Sequence, residues 1–301
     1  MSVKFDISAP YDVEEADVAF ARPQGMELLA RVYRAKGQAT GPLPVVVDVH
    51  GGAWTRLDRT TGAILGRGLA ACGVVVVALD FRMGPDHKHP AASADVAAGL
   101  RWVRAHAGRW GVDPARIGIA GSSSGGHLAS LLAVTPNAAF HDGTPIIMPD
   151  GSLDAAPGDL RVAFAMVAYP VCDPLARYRY VLSRKDEPPQ PSGFSAQRLI
   201  DAHNGFFRDE AHMAETSVTR IVASGEAGAL PPMWLGQPEL DDNVPAPITD
   251  AFVQAYQRAG GTIERSHFPG AKHGFMQSAG GPSEKGVALM RDFAGRQLSG
   301  G

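Results

Sequence analysis

Short apolar runs separated by longer amphipathic stretches recur along this chain. LPVVVDV (43–49), GVVVVALDF (73–81), RIGIA (116–120) and VAFAMVAY (162–169) are apolar at nearly every position. That is the signature of strands buried on both faces. PPMWLG (231–236) and TIERSHF (262–268) add two more, and residues 16–22 and 26–35 read as the two strands of an opening meander. Gly73 suits the end of a helix that precedes the second run. Residues 92–107 set Val96, Leu100 and Val103 on one helical face. Residues 249–259 form a helical pattern ended by Gly260-Gly261, and 283–298 another with Val287, Met290, Phe293 and Ala294 inward. This alternation predicts an α/β protein with a mostly parallel central sheet flanked by helices.

Two stretches break the rhythm. Residues 136–160 carry the turn signals Asp142-Gly143 and Asp150-Gly151 around a short IIM, and form an additional excursion. Residues 171–229 are Pro-interrupted and hold Tyr178, Tyr180, Phe194, Phe206 and Phe207. About sixty residues is too long for a plain loop in a compact domain, so this stretch is expected to be a helical cap inserted into the core. The core is then 1–170 with 230–301, and the cap 171–229. Neither an internal repeat nor a low-complexity tract is present.

The candidate chemistry lies in RIGIAGSSSGGHLASLL, 116–132, where a strand pattern ends and a helix pattern begins. A side chain exposed on so sharp a turn needs no clashing Cβ two residues before and after it, the G-x-S-x-G elbow. Of the three serines, Ser123 alone has glycine at both places, Gly121 and Gly125. A competing glycine loop for anions lacks the P-loop lysine, and GSSSGG does not fit G-x-G-x-x-G. A serine nucleophile needs a base and an orienting acid. His273, in FPGAKHGF after the last strand, suits the base. His267 falls inside a strand pattern, while His203 and His212 lie in the expected cap. The acid is sought in GQPELDDNVP (236–245), which offers Glu239, Asp241 and Asp242; Asp241 is preferred and Asp242 comes second. HGGAW (50–54) supplies backbone donors for an oxyanion. Gly52 and Ala53 are the first choice, Gly51 is in reserve, and the Ser124 N–H completes the hole. Trp54 either lines the substrate pocket or packs beneath the loop, and His127 belongs to the start of the helix.

Composition narrows the field further. The chain has 301 residues, 45% hydrophobic and 20% charged, which is ordinary globular material. A net charge of -3 gives no reason to expect nucleic acid or an anionic membrane as partner. No signal-like start and no apolar run of roughly 20 residues is seen, so a cytoplasmic protein is expected. Cys72 and Cys172 read as buried thiols. Asp86, His87 and His89 are weighed as a metal site and read instead as a turn, so neither a metal nor a cofactor is expected.

Five motifs in order, HGGAW (50–54), DFRMGPDHKHPA (80–91), GSSSGGHLA (121–129), LDDNVP (240–245) and PGAKHGF (269–275), resemble the hormone-sensitive-lipase-like carboxylesterase branch of the α/β-hydrolase superfamily. The resemblance implies an α/β-hydrolase fold with a helical cap, a Ser–His–Asp triad of Ser123, His273 and Asp241, and cofactor-free cleavage of small to medium carboxylic esters through an acyl-enzyme. Dimers occur in that family. The chain departs from it in three ways: Ser122 stands where an aspartate is usual, Ser124 where an alanine is usual, and HGGG becomes HGGA. Its short leading segment also suggests a reduced N-terminal part of the cap. DDNV is similar to the acid turn of prolyl-peptidase-type hydrolases, which keeps amidase, formamidase or peptidase chemistry as an alternative. A non-catalytic ligand receptor on the same fold is the third reading.

Overall fold

The structure, a computed structural model, describes residues 2–190 and 192–298. Ten strands form one sheet: β1 (Val13–Ala21), β2 (Leu28–Ala35), β3 (Leu43–Val49), β4 (Val75–Leu79), β5 (Val112–Ser122), β6 (Ile146–Ile147), β7 (Leu153–Asp154), β8 (Phe164–Ala168), β9 (Met233–Leu240) and β10 (Ile263–Lys272). Their order across the sheet is β10-β9-β8-β5-β3-β4-β2-β1-β6-β7. From β10 to β4 every pairing is parallel. From β4 through β2 and β1 to the β6–β7 hairpin every pairing is antiparallel.

The central strands are buried along their whole length, as in β3, β4 and β8, because helices cover both faces. The period of two in a strand then sorts neighbours onto opposite faces. Val45, Val47 and Val49 of β3 pack with Val96 and Leu100 of α2 (Ala91–Ala105) and Leu128 and Leu131 of α3 (Ser124–Val134). Val46 and the even positions of β4 pack instead with Leu65 and Leu69 of α1 (Ala63–Ala70), and with Met290 and Phe293 near the C-terminal end of the chain. Asp48 is a buried carboxylate in the middle of this apolar run.

The 136–160 excursion extends the sheet rather than leaving it. Ile146 pairs with Ala21, and Thr144 Oγ1 donates to Asp95 at 2.7 Å. Asp95 is fully buried and also receives the Arg82 guanidinium, which belongs to the DFRMGPD motif. In 171–229 four helices follow one another: α4 (Pro174–Ser183), α5 (Ala196–Phe206), α6 (Glu210–Glu215) and α7 (Val218–Ala223). Asp173, Ser195, Asp209 and Ser217 cap them in turn, each accepting a backbone N–H of the first turn. Two helices follow β9 and β10, at Ala246–Arg258 (α8) and Gly281–Leu298 (α9). Among the described residues no helix is long and apolar enough to cross a membrane.

Candidate active site

Strand β5 ends at Ser122 and α3 begins at Ser124, so Ser123 occupies the bend with φ 53° and ψ −119°. A non-glycine residue stays at positive φ only where its surroundings hold it there. Here the Ser123 N–H donates to Ala168 O at 3.0 Å, and the Ser123 carbonyl accepts from His127 and Val171 N–H, each at 3.1 Å. The flanking glycines are required by close approach of backbone. A Cβ on Gly121 would lie 2.5 Å from Gly125 O, and one on Gly125 would lie 2.0 Å from Val49 O.

His273 follows β10, with left-handed Gly274 turning the chain behind it. Ser123 Oγ lies 2.8 Å from His273 Nε2. On the other side of the ring, Nδ1 donates to the Asp241 carboxylate at 3.0 and 2.9 Å. That pairing assigns the proton to Nδ1 and leaves Nε2 to accept from the serine. Asp241 sits just beyond β9 with a side chain 1% exposed. Its Oδ1 also accepts the backbone N–H of Asn243 (2.9 Å) and Val244 (2.8 Å). Tyr169, the residue after β8, packs its ring 4.7 Å from that of His273.

The other acids and histidines near this sequence do different work. Asp242 accepts from Ser192 Oγ, and its carbonyl accepts from Tyr180 Oη at 2.9 Å, so it ties 171–229 to the core. Glu239 accepts the Gly270 N–H at 2.7 Å. His267 is exposed on β10, and His203 and His212 are buried in 171–229. His89 is buried 3.1 Å from His212, and burial pushes its pKa down to about 2. Among the described residues no three His, Cys, Asp or Glu side chains converge on a metal position. Cys72 and Cys172 are buried free thiols.

The loop after β3 reverses sharply, with Gly52, Ala53 and Trp54 all at positive φ (104°, 53° and 61°). Gly52 and Ala53 line a cleft of about 180 Å³ that also holds Ser123 and His273. Among the described residues the Gly52 and Ala53 N–H groups have no backbone acceptor. Ser124 N–H, at the first turn of α3, is a free helix-terminal donor of the same kind. Gly51 lies behind this edge, its α-carbon against Ser122 and Ser123.

Trp54 corrects one expectation. It does not line the cleft as a substrate-binding residue; it is wholly buried beneath the loop. Its N–H donates to Ser124 Oγ at 3.1 Å, and Nε1–H donates to His127 Nδ1 at 3.2 Å. The indole stacks on Phe206 at 5.3 Å and meets His203 and Phe207 edge-on. The positive φ at 53 and 54 turns the side chain inward, which a hydrophobicity pattern does not encode. His127, expected at the helix start, is there and is part of this anchor: its Nε2–H donates to Thr216 O at 2.9 Å. Sequence reasoning also missed three arginines on the cleft wall, Arg56, Arg177 and Arg198, which share no motif and are scattered over 142 positions of chain from 56 to 198.

Comparison with known proteins agrees with this architecture. Residues 32–167 match the BD-FAE family model. The chain is 30% identical over 273 residues to Esterase LipC of Mycobacterium tuberculosis, covering 87% of this chain and 61% of LipC. It is 28% identical over 244 residues to Carboxylesterase NlhH of the same organism, covering 79% of this chain and 68% of NlhH. The crystal structure of esterase LipW from Mycobacterium marinum superposes with a TM-score of 0.69 at 27% identity, covering 95% of this chain and 82% of LipW. The chain thus spans about three-fifths of the length of LipC. With its parallel sheet, its serine elbow and these relatives, the chain has the α/β-hydrolase fold and is similar over most of its length to mycobacterial esterases.

Proposed function

We propose that this chain is a serine hydrolase that cleaves carboxylic esters of small to medium size, with Ser123, His273 and Asp241 as its triad. The observation that carries the reading is the 2.8 Å contact of Ser123 Oγ with a His273 ring fixed from behind by Asp241. In the reaction Ser123 Oγ attacks the ester carbonyl while His273 Nε2 takes the hydroxyl proton. Negative charge developing on the carbonyl oxygen falls to the N–H groups of Gly52, Ala53 and Ser124, with Gly51 in reserve. Each such donor contributes on the order of 10² to 10³ in rate. The imidazolium, steadied by Asp241, returns its proton to the leaving alkoxide. A water then repeats the sequence on the acyl-enzyme, and the acid departs without any cofactor.

Helices α4 and α5 supply Arg177, Arg198 and Leu199 to the cleft wall, and the loop between them supplies Phe194, which supports residues 171–229 as a cap over the core. Trp54 serves this site from below, by holding the loop that carries the oxyanion donors.

The test is the Ser123→Ala variant assayed on 4-nitrophenyl butyrate, with a fluorophosphonate probe applied to the unmodified chain. Loss of turnover by a factor of ~10⁴ or more in a folded variant, with the probe on Ser123, is expected. Persistent turnover removes Ser123 as the nucleophile, and a probe that leaves Ser123 unlabelled revives a receptor role.

A further inference from the structure

The cleft beside Ser123 and His273 is lined by three arginines, Arg56, Arg177 and Arg198. None of them forms an ion pair among the described residues. Arg177 is the most unusual of the three. It lies on α4, is 1% exposed, and its buried Nε and Nη1 donate to no acceptor. The guanidinium stands 5.7 Å from the centre of the Trp54 ring, which sets its place under the cleft. Arg198, on α5, is half-buried and its Nη2 reaches only the Gly193 carbonyl, at 3.3 Å. Arg56 is exposed at the rim.

The acidic groups nearby do not neutralise this cluster. Asp241 is committed to His273 and to two backbone N–H groups. Asp242 faces the cleft, where Ser192 Oγ occupies one of its carboxylate oxygens. A buried guanidinium without a hydrogen-bond acceptor forfeits its hydration, a cost of several kcal/mol in general that a ring face 5.7 Å away offsets only in part. Burial draws the Arg177 pKa down to about 9; the charge of Arg198 acts in the same direction, and that of Asp241 opposes them more weakly. Arg198 is shifted downward in turn, by burial first and then by Arg56. Three like charges thus converge on one small cavity, and among the described residues neither Asp241 nor Asp242 forms an ion pair with any of them.

We propose that this cleft selects esters that themselves carry a carboxylate, with Arg177 as the buried anchor and Arg198 and Arg56 gathering the anion at the entrance. A planar carboxylate accepts two parallel N–H bonds from a guanidinium, and one buried guanidinium is balanced by one monoanion. The inference rests on the ester-hydrolase reading and narrows it to a substrate class. The carboxylate belongs to the acyl part, as in a half-ester of a dicarboxylic acid, or to the alcohol part, as in an acylated hydroxybenzoate. The two cases share the same chemistry and are separated by assay.

The experiment compares two matched pairs: mono-4-nitrophenyl glutarate with its neutral methyl ester, and 4-acetoxybenzoate with methyl 4-acetoxybenzoate. The unsubstituted enzyme is expected to favour the carboxylate member of at least one pair by tenfold or more in kcat/KM. The favoured pair identifies the side that carries the charge. Arg177→Met should bring that ratio below twofold, whatever happens to the absolute rates. Arg198→Gln and Arg56→Gln, at less buried positions, should each lower it severalfold, and they carry the test if the Arg177 variant does not fold. Raising the salt concentration should also reduce the ratio, since the charges at the entrance are screened. Ratios of one or less in both pairs, or ratios untouched by all the arginine substitutions, overturn the selection. If none of the four esters is cleaved, the ester-hydrolase reading itself falls, and this inference with it.

Discussion

Asp241 presents both carboxylate oxygens to His273 Nδ1, at 3.0 and 2.9 Å, while the adjacent Asp242 faces Ser192 instead. The two neighbours therefore have separable roles. In Asp241→Asn the amide places a donor opposite Nδ1–H, which favours the wrong tautomer of the ring. We expect kcat to fall by ~10³ to 10⁴ with little loss of stability. Asp242→Asn keeps an acceptor for Ser192 and should change kcat by less than about tenfold. Steady-state kinetics on a neutral ester decides this, and the reverse pattern would exchange the two roles.

The elbow makes a steric prediction. Gly125→Ala sets its Cβ 2.0 Å from Val49 O and 2.3 Å from His50 O, both backbone atoms that no rotamer change can move. Either β3 or the start of α3 must shift, and both carry the proposed oxyanion donors. We expect a loss of more than ~3 kcal/mol in stability, or a chain that fails to fold, read by denaturant unfolding. Ser123→Ala, which adds no atom, should unfold at the temperature of the unsubstituted protein within a few degrees.

Ser124 fills a place where the resembling family usually has alanine, and its hydroxyl accepts the Trp54 N–H at 3.1 Å. That bond joins the helix that follows Ser123 to the loop of Gly52 and Ala53. Ser124→Ala leaves a buried N–H without an acceptor, a loss of ~1 to 2 kcal/mol. It should also lower kcat severalfold more than it raises KM, because the donors act on charge that appears only in the transition state. Thermal unfolding and a kcat-against-KM comparison check both parts.

Backbone demands were the part of this site most legible in sequence. Gly121, Gly125 and the HGG turn are dictated by close approach of main chain, and such demands leave a fixed spacing wherever they occur. His273 was legible for a related reason, since a loop after the last strand is one of few places from which a base can reach the elbow. The choice between Asp241 and Asp242 was preferred in sequence but not decidable there. In the structure, capture of Asp241 Oδ1 by the N–H groups of Asn243 and Val244 separates them. Strand β5 begins at Val112, before the RIGIA core, because its polar opening DPAR is exposed or half-buried and so carries no apolar pattern. The β6–β7 hairpin was invisible, being two residues per strand and stabilised by Thr144, Asp95 and Arg82 from distant segments. Arg177 reads in PLARYRYVLS as a surface residue of an amphipathic helix, and only the packing of α4 over the Trp54 loop buries it.

Buried histidines make the fold acid-sensitive, four of them above all. Burial pushes the pKa of His127 and His141 down to about 4, His203 to about 3 and His89 to about 2. Unfolded, each ring takes up a proton near pH 6.5. Above that pH both states are neutral and these groups do not alter stability. As pH falls from 6.5 toward 4, the unfolded chain gains protons that the native rings refuse, so the native state loses ground. A ring held at about 4 withholds on the order of 2 kcal/mol at pH 5. Calorimetry should therefore find Tm level from pH 8 to 7 and falling steeply between 6.5 and 5. A flat Tm over that lower interval would mean that the native rings are protonated in place.

Asp48 works in the opposite direction. It is a carboxylate in an apolar strand with no cation beside it, and its Oδ2 lies against Gly62, where a Cβ would come within 2.0 Å. Burial raises its pKa to about 7, far above the 3.8 of an exposed aspartate. Between those two values the native state holds a proton that the unfolded chain has released, so stability from this group declines as pH rises from about 4 to 7 and levels off above it. Asp48→Asn removes the ionisation with almost no change of shape. The substituted protein should be more stable than the original at pH 8, by up to ~4 kcal/mol or several degrees in Tm, with the gain shrinking as pH drops below 7. Paired unfolding curves at pH 5.5, 7 and 8 give the answer. If the gain is the same at all three, a neutral polar contact of the asparagine is responsible; if the variant is weaker at pH 8, the Asp48 carboxylate has a partner that stabilises its charge.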